Sequence, residues 1–135
     1  MKIFVSGQID EKEEINVIYQ KLQQAGHEVT HDWTKTDGIG DKLKNQKESG
    51  LRAAKDITGV VEADIYILVS NNKKPGKGMY VELGAALALN EALGKPQIFT
   101  IGNRNHLSIF YLHPAVTHLK TIEDVLQQLD GTKQV

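Results

Sequence analysis

The chain of 135 residues contains no cysteine. This absence excludes disulfide bonds, a thiol nucleophile and zinc sites with cysteine ligands, and it fits a reducing cytoplasm. No apolar run is long enough to cross a membrane, and Ile3-Phe4-Val5 is too short for the core of a signal peptide. We therefore expect a cytoplasmic protein that does not bind a membrane.

An excess of charge of one sign is also missing, because 16 basic residues stand against 17 acidic ones, for a net charge of −1. This balance gives no chain-wide attraction for a nucleic acid polymer, so a small-molecule ligand is expected. Hydrophobic residues still make up 40 % of the chain, which is enough for a buried core. The length predicts one domain over residues 1–135.

Short apolar segments alternate with longer amphipathic ones. The short segments predict five strands, at residues 2–6, 27–33, 64–70, 97–101 and 116–119. The amphipathic segments predict helices over residues 10–25, 46–62, 81–93 and 121–129, with Gly26, Gly94 and Gly131 ending the first, third and fourth. Strands alternating with helices are typical of an α/β fold. We predict a three-layer, doubly wound, flavodoxin or Rossmann-like architecture: a parallel five-stranded sheet with helices on both faces.

A glycine-rich loop leads into the third predicted helix, as Gly76-Lys77-Gly78-Met79-Tyr80-Val81-Glu82-Leu83-Gly84. It follows a buried strand, and ligands of open α/β sheets bind at the carboxyl ends of the strands. We interpret Glu82 as a nucleophile that the unpaired amides of the helix start keep ionised. The alternative is that Glu82 only complements the helix dipole.

Two motifs suggest other chemistry, and their context argues against both. His27-Glu28-Val29-Thr30-His31 matches the zinc-peptidase pattern H-E-x-x-H, which needs a helix, whereas Gly26 and the β-branched residues favour a strand. In a strand the two histidines stand roughly 13 Å apart, too far to share one metal ion. Gly76-Lys77-Gly78 lacks the third glycine of a dinucleotide fingerprint, and no P-loop occurs. We predict no metal site and no cofactor.

Asp56 and Trp33 are placed to join Glu82. Asp56 lies two helical turns before the third strand, so its side chain can point across the sheet edge, although a solvated helix charge is the plainer interpretation. Trp33, at the end of the second predicted strand, offers either ordinary packing or a flat surface for an aromatic base. Ser6-Gly7-Gln8 has small residues that let a ligand approach the backbone.

Three blocks carry a family resemblance: Phe4-Val5-Ser6-Gly7-Gln8-Ile9, Asp56-Ile57 followed by Glu62-Ala63-Asp64-Ile65, and Gly78-Met79-Tyr80-Val81-Glu82-Leu83-Gly84 with Ala86. Together they resemble the nucleoside 2-deoxyribosyltransferase superfamily, including its deoxynucleoside 5′-monophosphate N-glycosidase branch. The resemblance implies an enzyme that cleaves or transfers the N-glycosidic bond of a nucleoside or its 5′-monophosphate through a covalent glycosyl-enzyme.

The same resemblance implies that Glu82 attacks the anomeric carbon, while Asp56 positions the sugar and manages the proton on the base. Two acids suffice for this reaction, since one traps the positive charge of the sugar and the other protonates the leaving base. The predicted substrate-binding residues are Phe4, Gly7, Gln8, Ile9, Trp33, Gly78, Met79 and Ser108.

Three positions depart from the family pattern. Gln8 stands where the monophosphate branch uses a serine, and the other two positions support a second hypothesis. Phe4 replaces a tyrosine, and Gly76 stands where relatives often carry an acid or a hydroxyl. These changes leave open a non-catalytic nucleotide-binding or sensing module on the same fold.

The segment from Asn103 to Pro114 predicts assembly. Leu107, Ile109, Phe110, Tyr111 and Leu112 make it densely apolar in a region that otherwise resembles a loop. Either it forms a short helix on its own core or it covers a neighbouring chain. Members of the resembled family usually associate and share residues between sites, so we expect a homodimer or higher oligomer.

Overall fold

The computed structural model describes residues 1–36 and 38–133, and it contains five strands and four α-helices in those ranges. The strands are β1 (Lys2–Ser6), β2 (Glu28–Val29), β3 (Ile65–Val69), β4 (Gln97–Ile101) and β5 (Val116–Leu119). The helices are α1 (Lys12–Gln24), α2 (Gln46–Val61), α3 (Gly78–Leu93) and α4 (Ile122–Lys133). Single 3₁₀ turns lie at Ile9–Glu11, Trp33–Lys35 and Ile109–Leu112.

The strands form one parallel sheet in the order β2-β1-β3-β4-β5. Helices α1 and α4 cover one face of this sheet, and α2 and α3 cover the other. The predicted three-layer, doubly wound fold is therefore confirmed. The strand order reverses between β1 and β3, and the crevice at the carboxyl ends of these two strands is where such sheets bind ligands.

Burial on both faces explains why β3 is continuously apolar, since all five of its side chains are buried. Successive side chains point to opposite layers, so Ile65, Ile67 and Val69 face α1 and α4, whereas Tyr66 and Leu68 face α2 and α3. The sheet is thus packed between two hydrophobic cores. The loops at the carboxyl ends of its strands are positioned by this packing.

The second strand is much shorter than predicted, and Trp33 lies outside it. After Val29, one further backbone bond joins Thr30 to Ile3, and the chain then turns. The Asp32 carboxylate accepts a 2.9 Å bond from the Thr34 amide and caps the Trp33–Lys35 turn. This local capping ends the extended chain despite its β-branched residues.

Helix boundaries differ from expectation mainly at glycines. Gly94 ends α3 as predicted, in the left-handed conformation with φ of 77°. Gly131, in contrast, lies inside α4, which continues to Lys133. The third helix begins at Gly78, three residues before the predicted start at Val81. None of the helices in the described ranges has both the length and the apolar character that a bilayer span requires.

Candidate active site

Glu82 lies at the switch point of the sheet, in the second turn of α3. Its side chain is only 8 % exposed, and the hydroxyl of Ser6, the last residue of β1, donates a 2.7 Å hydrogen bond to its Oε1. Burial raises the pKa of Glu82 to about 8, against the lowering effect of the Ser6 bond. The negative charge of Asp56 raises it further.

This result corrects the expectation that the start of α3 keeps Glu82 ionised. Because α3 begins at Gly78, Glu82 lies beyond the first-turn amides that lack intrahelical partners. Burial therefore dominates, and the carboxyl group is protonated at neutral pH in the absence of substrate.

Asp56, near the end of α2, faces Glu82. Burial raises the pKa of Asp56, whereas the charge of His31 and side-chain hydrogen bonding with Glu82 lower it. The same hydrogen bonding raises the pKa of Glu82, as expected when a protonated Glu82 donates to an ionised Asp56. The protonation of each carboxyl group thus depends on that of the other.

His31 lies beside the Asp56 member of this pair. Its Nε2 lies 3.5 Å from Oδ1 of Asp56, and both side chains are about a quarter exposed, at 28 % and 27 %. Within the described residues, Asp56 Oδ1 has no hydrogen-bond partner although it is buried from water. The sequence motif suggested a role for His31 only as a zinc ligand. Its proximity to Asp56 depends on the fold.

Tyr19 was also missed. It projects from α1, its hydroxyl is buried without a hydrogen-bond partner among the described residues, and burial raises its pKa. The charges of Asp32, Glu82 and Asp56 raise that pKa further, which places the hydroxyl near the carboxyl pair. Helical spacing from Ile15 would have put Tyr19 in the core, but not beside the acids.

A cleft of about 710 Å³ opens beside Asp56, between α2 and the loop after Trp33. Trp33 and the predicted binding residue Ile9 contribute apolar walls, and Trp33 is fixed by a 2.8 Å bond from its Nε1 to the carbonyl of Val5. His31, Asp32 and Arg52 add polar groups to the lining. The cleft can therefore hold a flat aromatic ring against Trp33 with polar groups around it.

Gly7 and Gln8 lie in the loop that follows β1. A side chain at Gly7 would place its Cβ 2.6 Å from Cδ1 of Ile15, so a larger residue requires the end of the buried Ile15 side chain to shift. Gln8 donates from Nε2 to the carbonyl of Lys74 at 3.1 Å, which ties the β1 loop to the loop before α3.

Three other predicted binding residues differ in accessibility. Gly78 is exposed at the start of α3, whereas Met79 is 2 % exposed and packs in the core with α2. A side chain at Gly76 would collide with Met79. Phe4 has no exposed surface and stacks on Tyr66, with ring centres 6.1 Å apart. Phe4 and Met79 therefore lie in the core beneath the site and have no surface open to a ligand.

Ser108 is not brought to the carboxyl pair. Its hydroxyl accepts a 3.2 Å bond from the amide of Phe110 and caps the turn Ile109–Leu112, and it does not line the cleft. In the same segment Tyr111 is buried rather than part of an exposed patch. Its neighbours Leu107, Ile109, Phe110 and Leu112 are all more than half exposed.

The two histidines of the H-E-x-x-H pattern do not converge. His27 is buried, with Nδ1 3.3 Å from the amino group of Met1, whereas His31 contacts Asp56. They lie on chain that is extended or irregular rather than helical.

No protein-family model matches the chain, and no curated protein sequence matches it. Solved structures do match its fold. A CMP N-glycosidase of Clostridium botulinum, BcmB, superposes with a TM-score of 0.59 at 19 % identity, over 96 % of this chain and 98 % of the other. A conserved protein of Enterococcus faecalis V583 superposes with a TM-score of 0.66 at 15 % identity, over 98 % of both chains. The chain shares the fold of these proteins.

Proposed function

We propose that the protein cleaves the N-glycosidic bond of a nucleoside or a nucleoside 5′-monophosphate. The observation that carries this proposal is the pair of facing carboxyl groups, Glu82 and Asp56, at the switch point of the sheet and beside an open cleft. The fold shared with a CMP N-glycosidase supports the same reaction class.

In the first step the shared proton passes from Glu82 to Asp56. The Glu82 carboxylate then bonds to the anomeric carbon, the bond from that carbon to the base nitrogen breaks, and its electron pair leaves with the base. Asp56 gives the leaving nitrogen its proton. One protonation state of the pair therefore supplies both the nucleophile and the acid.

The second step returns the enzyme to its starting state. Asp56, now a carboxylate, takes a proton from water as the water oxygen attacks the anomeric carbon and Glu82 departs. If the nitrogen of a second base attacks instead, the sugar is transferred. Hydrolysis and transfer thus use the same two residues and differ only in the acceptor.

The base is assigned to the cleft beside Asp56, against Trp33 and Ile9. In this position the leaving nitrogen of the base lies next to Asp56, the proton donor. The sugar then extends past Glu82 toward the loops of Gly7 and Gly78.

The experiment is to incubate the protein with single nucleosides and their 5′-monophosphates, with and without a second free base, and to separate the products by chromatography. Release of free base supports the proposal, and a new nucleoside in the presence of a second base identifies transfer. The control is the Glu82→Gln variant prepared in parallel. If no member of the panel loses its base in a concentration-dependent way, the proposal is contradicted.

The second candidate is a non-catalytic nucleotide-binding or sensing module. The burial of Glu82, with a pKa raised to about 8, favours it, because a protonated carboxyl group is a poor nucleophile. Calorimetric binding of a nucleotide that the protein leaves intact over hours would select this candidate.

A further inference from the structure

We infer that Asp32 selects nucleosides and nucleotides whose base carries an exocyclic amino group, such as cytosine or adenine. Bases with a carbonyl oxygen at that position, such as uracil or hypoxanthine, are disfavoured. The position of the base in the cleft, on which this inference rests, comes from the proposed function, whereas the contacts of Asp32 are those of the structure itself.

Asp32 lies in the wall of the cleft, between two residues that also line it. Before it in the chain is His31, whose Nε2 lies 3.5 Å from Asp56, and after it is Trp33, which forms an apolar wall. A base that stacks on Trp33 with its glycosidic nitrogen toward Asp56 therefore presents another part of its edge to the loop that holds Asp32.

One oxygen of the Asp32 carboxyl group is bound within the protein. Oδ1 accepts the 2.9 Å bond from the Thr34 amide, and the Thr34 hydroxyl lies within hydrogen-bond distance of the same oxygen. Thr34 is 5 % exposed and does not line the cleft, and its hydroxyl lies 2.8 Å from Oδ1 of Asn16 in α1. Oδ1 of Asp32 is thus directed at the protein interior, and these contacts fix the orientation of the side chain.

The second oxygen, Oδ2, is the one left for a ligand. Among the described residues it accepts no hydrogen bond, and Asp32 forms no ion pair. The side chain is partly buried beside the apolar wall of the cleft. A partly buried polar atom without a protein partner is stabilised when a ligand supplies the missing donor.

The chemistry of a carboxylate oxygen decides which bases it favours, because it can only accept a hydrogen bond. The amino group of cytosine or adenine donates to such an oxygen, as the amino group of cytosine does to acidic side chains in nucleic acid recognition. Uracil and hypoxanthine have the same ring shapes but carry a carbonyl oxygen there, so two acceptors would face each other without a hydrogen between them. Asp32 therefore favours the first class by a hydrogen bond and disfavours the second by an unpaired group.

The test is calorimetric binding of two matched pairs of ligands, cytidine with uridine and adenosine with inosine, each as the nucleoside and as its 5′-monophosphate. All proteins carry Glu82→Gln, so that the ligands stay intact. With Asp32 present, we expect the amino member of at least one pair to bind about 10-fold or more tightly than its partner. Equal affinities within both pairs, or no binding of any ligand, overturn the proposal.

Asp32→Asn tests whether this side chain makes the selection. The amide oxygen can still accept from Thr34 and keep the turn, while the NH₂ group puts a donor in the place of Oδ2. The preference for the amino base should then fall by about 10-fold or invert. Asp32→Ser also keeps a capping oxygen but leaves nothing in the place of Oδ2, so the preference should be lost without inversion. This variant serves if Asp32→Asn does not fold.

Asp41 provides the matched control. Its Oδ1 likewise accepts backbone bonds, from the amides of Leu43 and Lys44, and it lies in the loop before α2 without lining the cleft. Asp41→Asn should leave the preference between the paired ligands unchanged. If Asp32→Asn weakens both members of a pair equally, the carboxyl group contacts the sugar rather than the base, and the proposal is overturned.

Binding and turnover distinguish failure of this proposal from failure of the proposed function. Discrimination that depends on Asp32, in a protein that releases no base from any ligand, refutes cleavage and leaves the selection intact. Base release from both members of each pair with the same kcat/KM, in the protein with Glu82 unchanged, refutes the selection and leaves cleavage intact.

Discussion

His31 Nε2 lies 3.5 Å from Asp56 Oδ1, so the imidazole faces the same carboxyl pair as Ser6, but from the side of the cleft. When His31 is protonated, its charge lowers the pKa of Asp56 and stabilises the singly ionised pair that the proposed reaction requires. Removing the imidazole therefore disfavours this state at acidic pH.

We predict that His31→Gln shifts the acidic limb of the kcat/KM profile upward by about one pH unit. The measurement is the rate of base release between about pH 4 and 9. Lys47→Gln removes an exposed positive charge of α2 outside the cleft and is the control. Identical acidic limbs in His31→Gln and wild type would contradict the assignment.

Glu82→Gln is expected to abolish base release by several orders of magnitude while the fold is kept, because the amide is nearly isosteric but cannot form the glycosyl-enzyme. Product formation is followed by chromatography, and circular dichroism checks the fold. Near-wild-type turnover in this variant would exclude Glu82 as the nucleophile.

Asp56→Asn should slow the reaction most for bases that leave poorly. Such bases depend on protonation as the bond breaks, whereas good leaving groups need little help. Comparing kcat across a series of nucleosides with bases of graded basicity gives the measurement. A uniform loss over the series would assign Asp56 to holding the sugar only.

The sequence predicted the position of Glu82 from local patterns and offered Asp56 as its partner, and the reasons are physical. Glu82 follows a glycine-rich loop after a buried strand, so chain connectivity places it at the carboxyl ends, whereas Asp56 precedes that strand by two turns and was expected only to point back toward Glu82. Ser6, Tyr19 and His31 could not be assigned this way. Their roles depend on distances between elements far apart in the chain, such as the 76 residues between Ser6 and Glu82.

Other expectations failed because tertiary packing overrode a local argument. The helix-dipole argument predicted an ionised Glu82, but it took no account of burial, which has the larger effect. Gly131 was predicted to end the last helix, yet α4 continues through it. The second strand stops early because Asp32 caps a turn, a competition that residue propensities do not reveal.

The raised pKa of Glu82 predicts how stability depends on pH. The unfolded carboxyl group titrates near 4.5 and the folded one near 8, so between these values the folded state keeps a proton that the unfolded state has lost. The stabilising contribution is complete below about pH 4.5 and is lost as the pH rises through about 8.

Glu82→Gln removes this dependence. As the pH rises between the unfolded and folded pKa values of Glu82, the free energy of unfolding of the variant should increase relative to wild type. The difference should reach on the order of a few kcal/mol and stay constant at higher pH. Urea unfolding of both proteins at intervals of pH provides the free energies. Parallel curves for the two proteins would show that Glu82 titrates normally in the folded state.

A homodimer or higher oligomer stays a prediction. It is supported by four exposed apolar side chains that a second chain would cover: Leu107, Ile109, Phe110 and Leu112. Sedimentation at micromolar concentration should show a species heavier than 15.0 kDa. An active 15.0 kDa species would refute shared sites.

If an oligomer forms, Ser108 is expected to serve the site of the neighbouring chain. Mixing Glu82→Gln with Ser108→Ala then produces hybrids with one intact site, and activity should recover in part. Confirmed hybrids without recovery would confine each site to one chain.

Trp33 is the only tryptophan in the sequence, and the structure places it in the wall of the proposed base-binding cleft with its indole nitrogen bonded to β1. It also packs against both cores of the sheet. Its fluorescence therefore carries two signals from one chromophore. A ligand that stacks on the indole quenches the emission, whereas loss of the fold shifts the emission to longer wavelength. The protein thus contains its own optical reporter, and titrations with unlabelled nucleotides need no added dye.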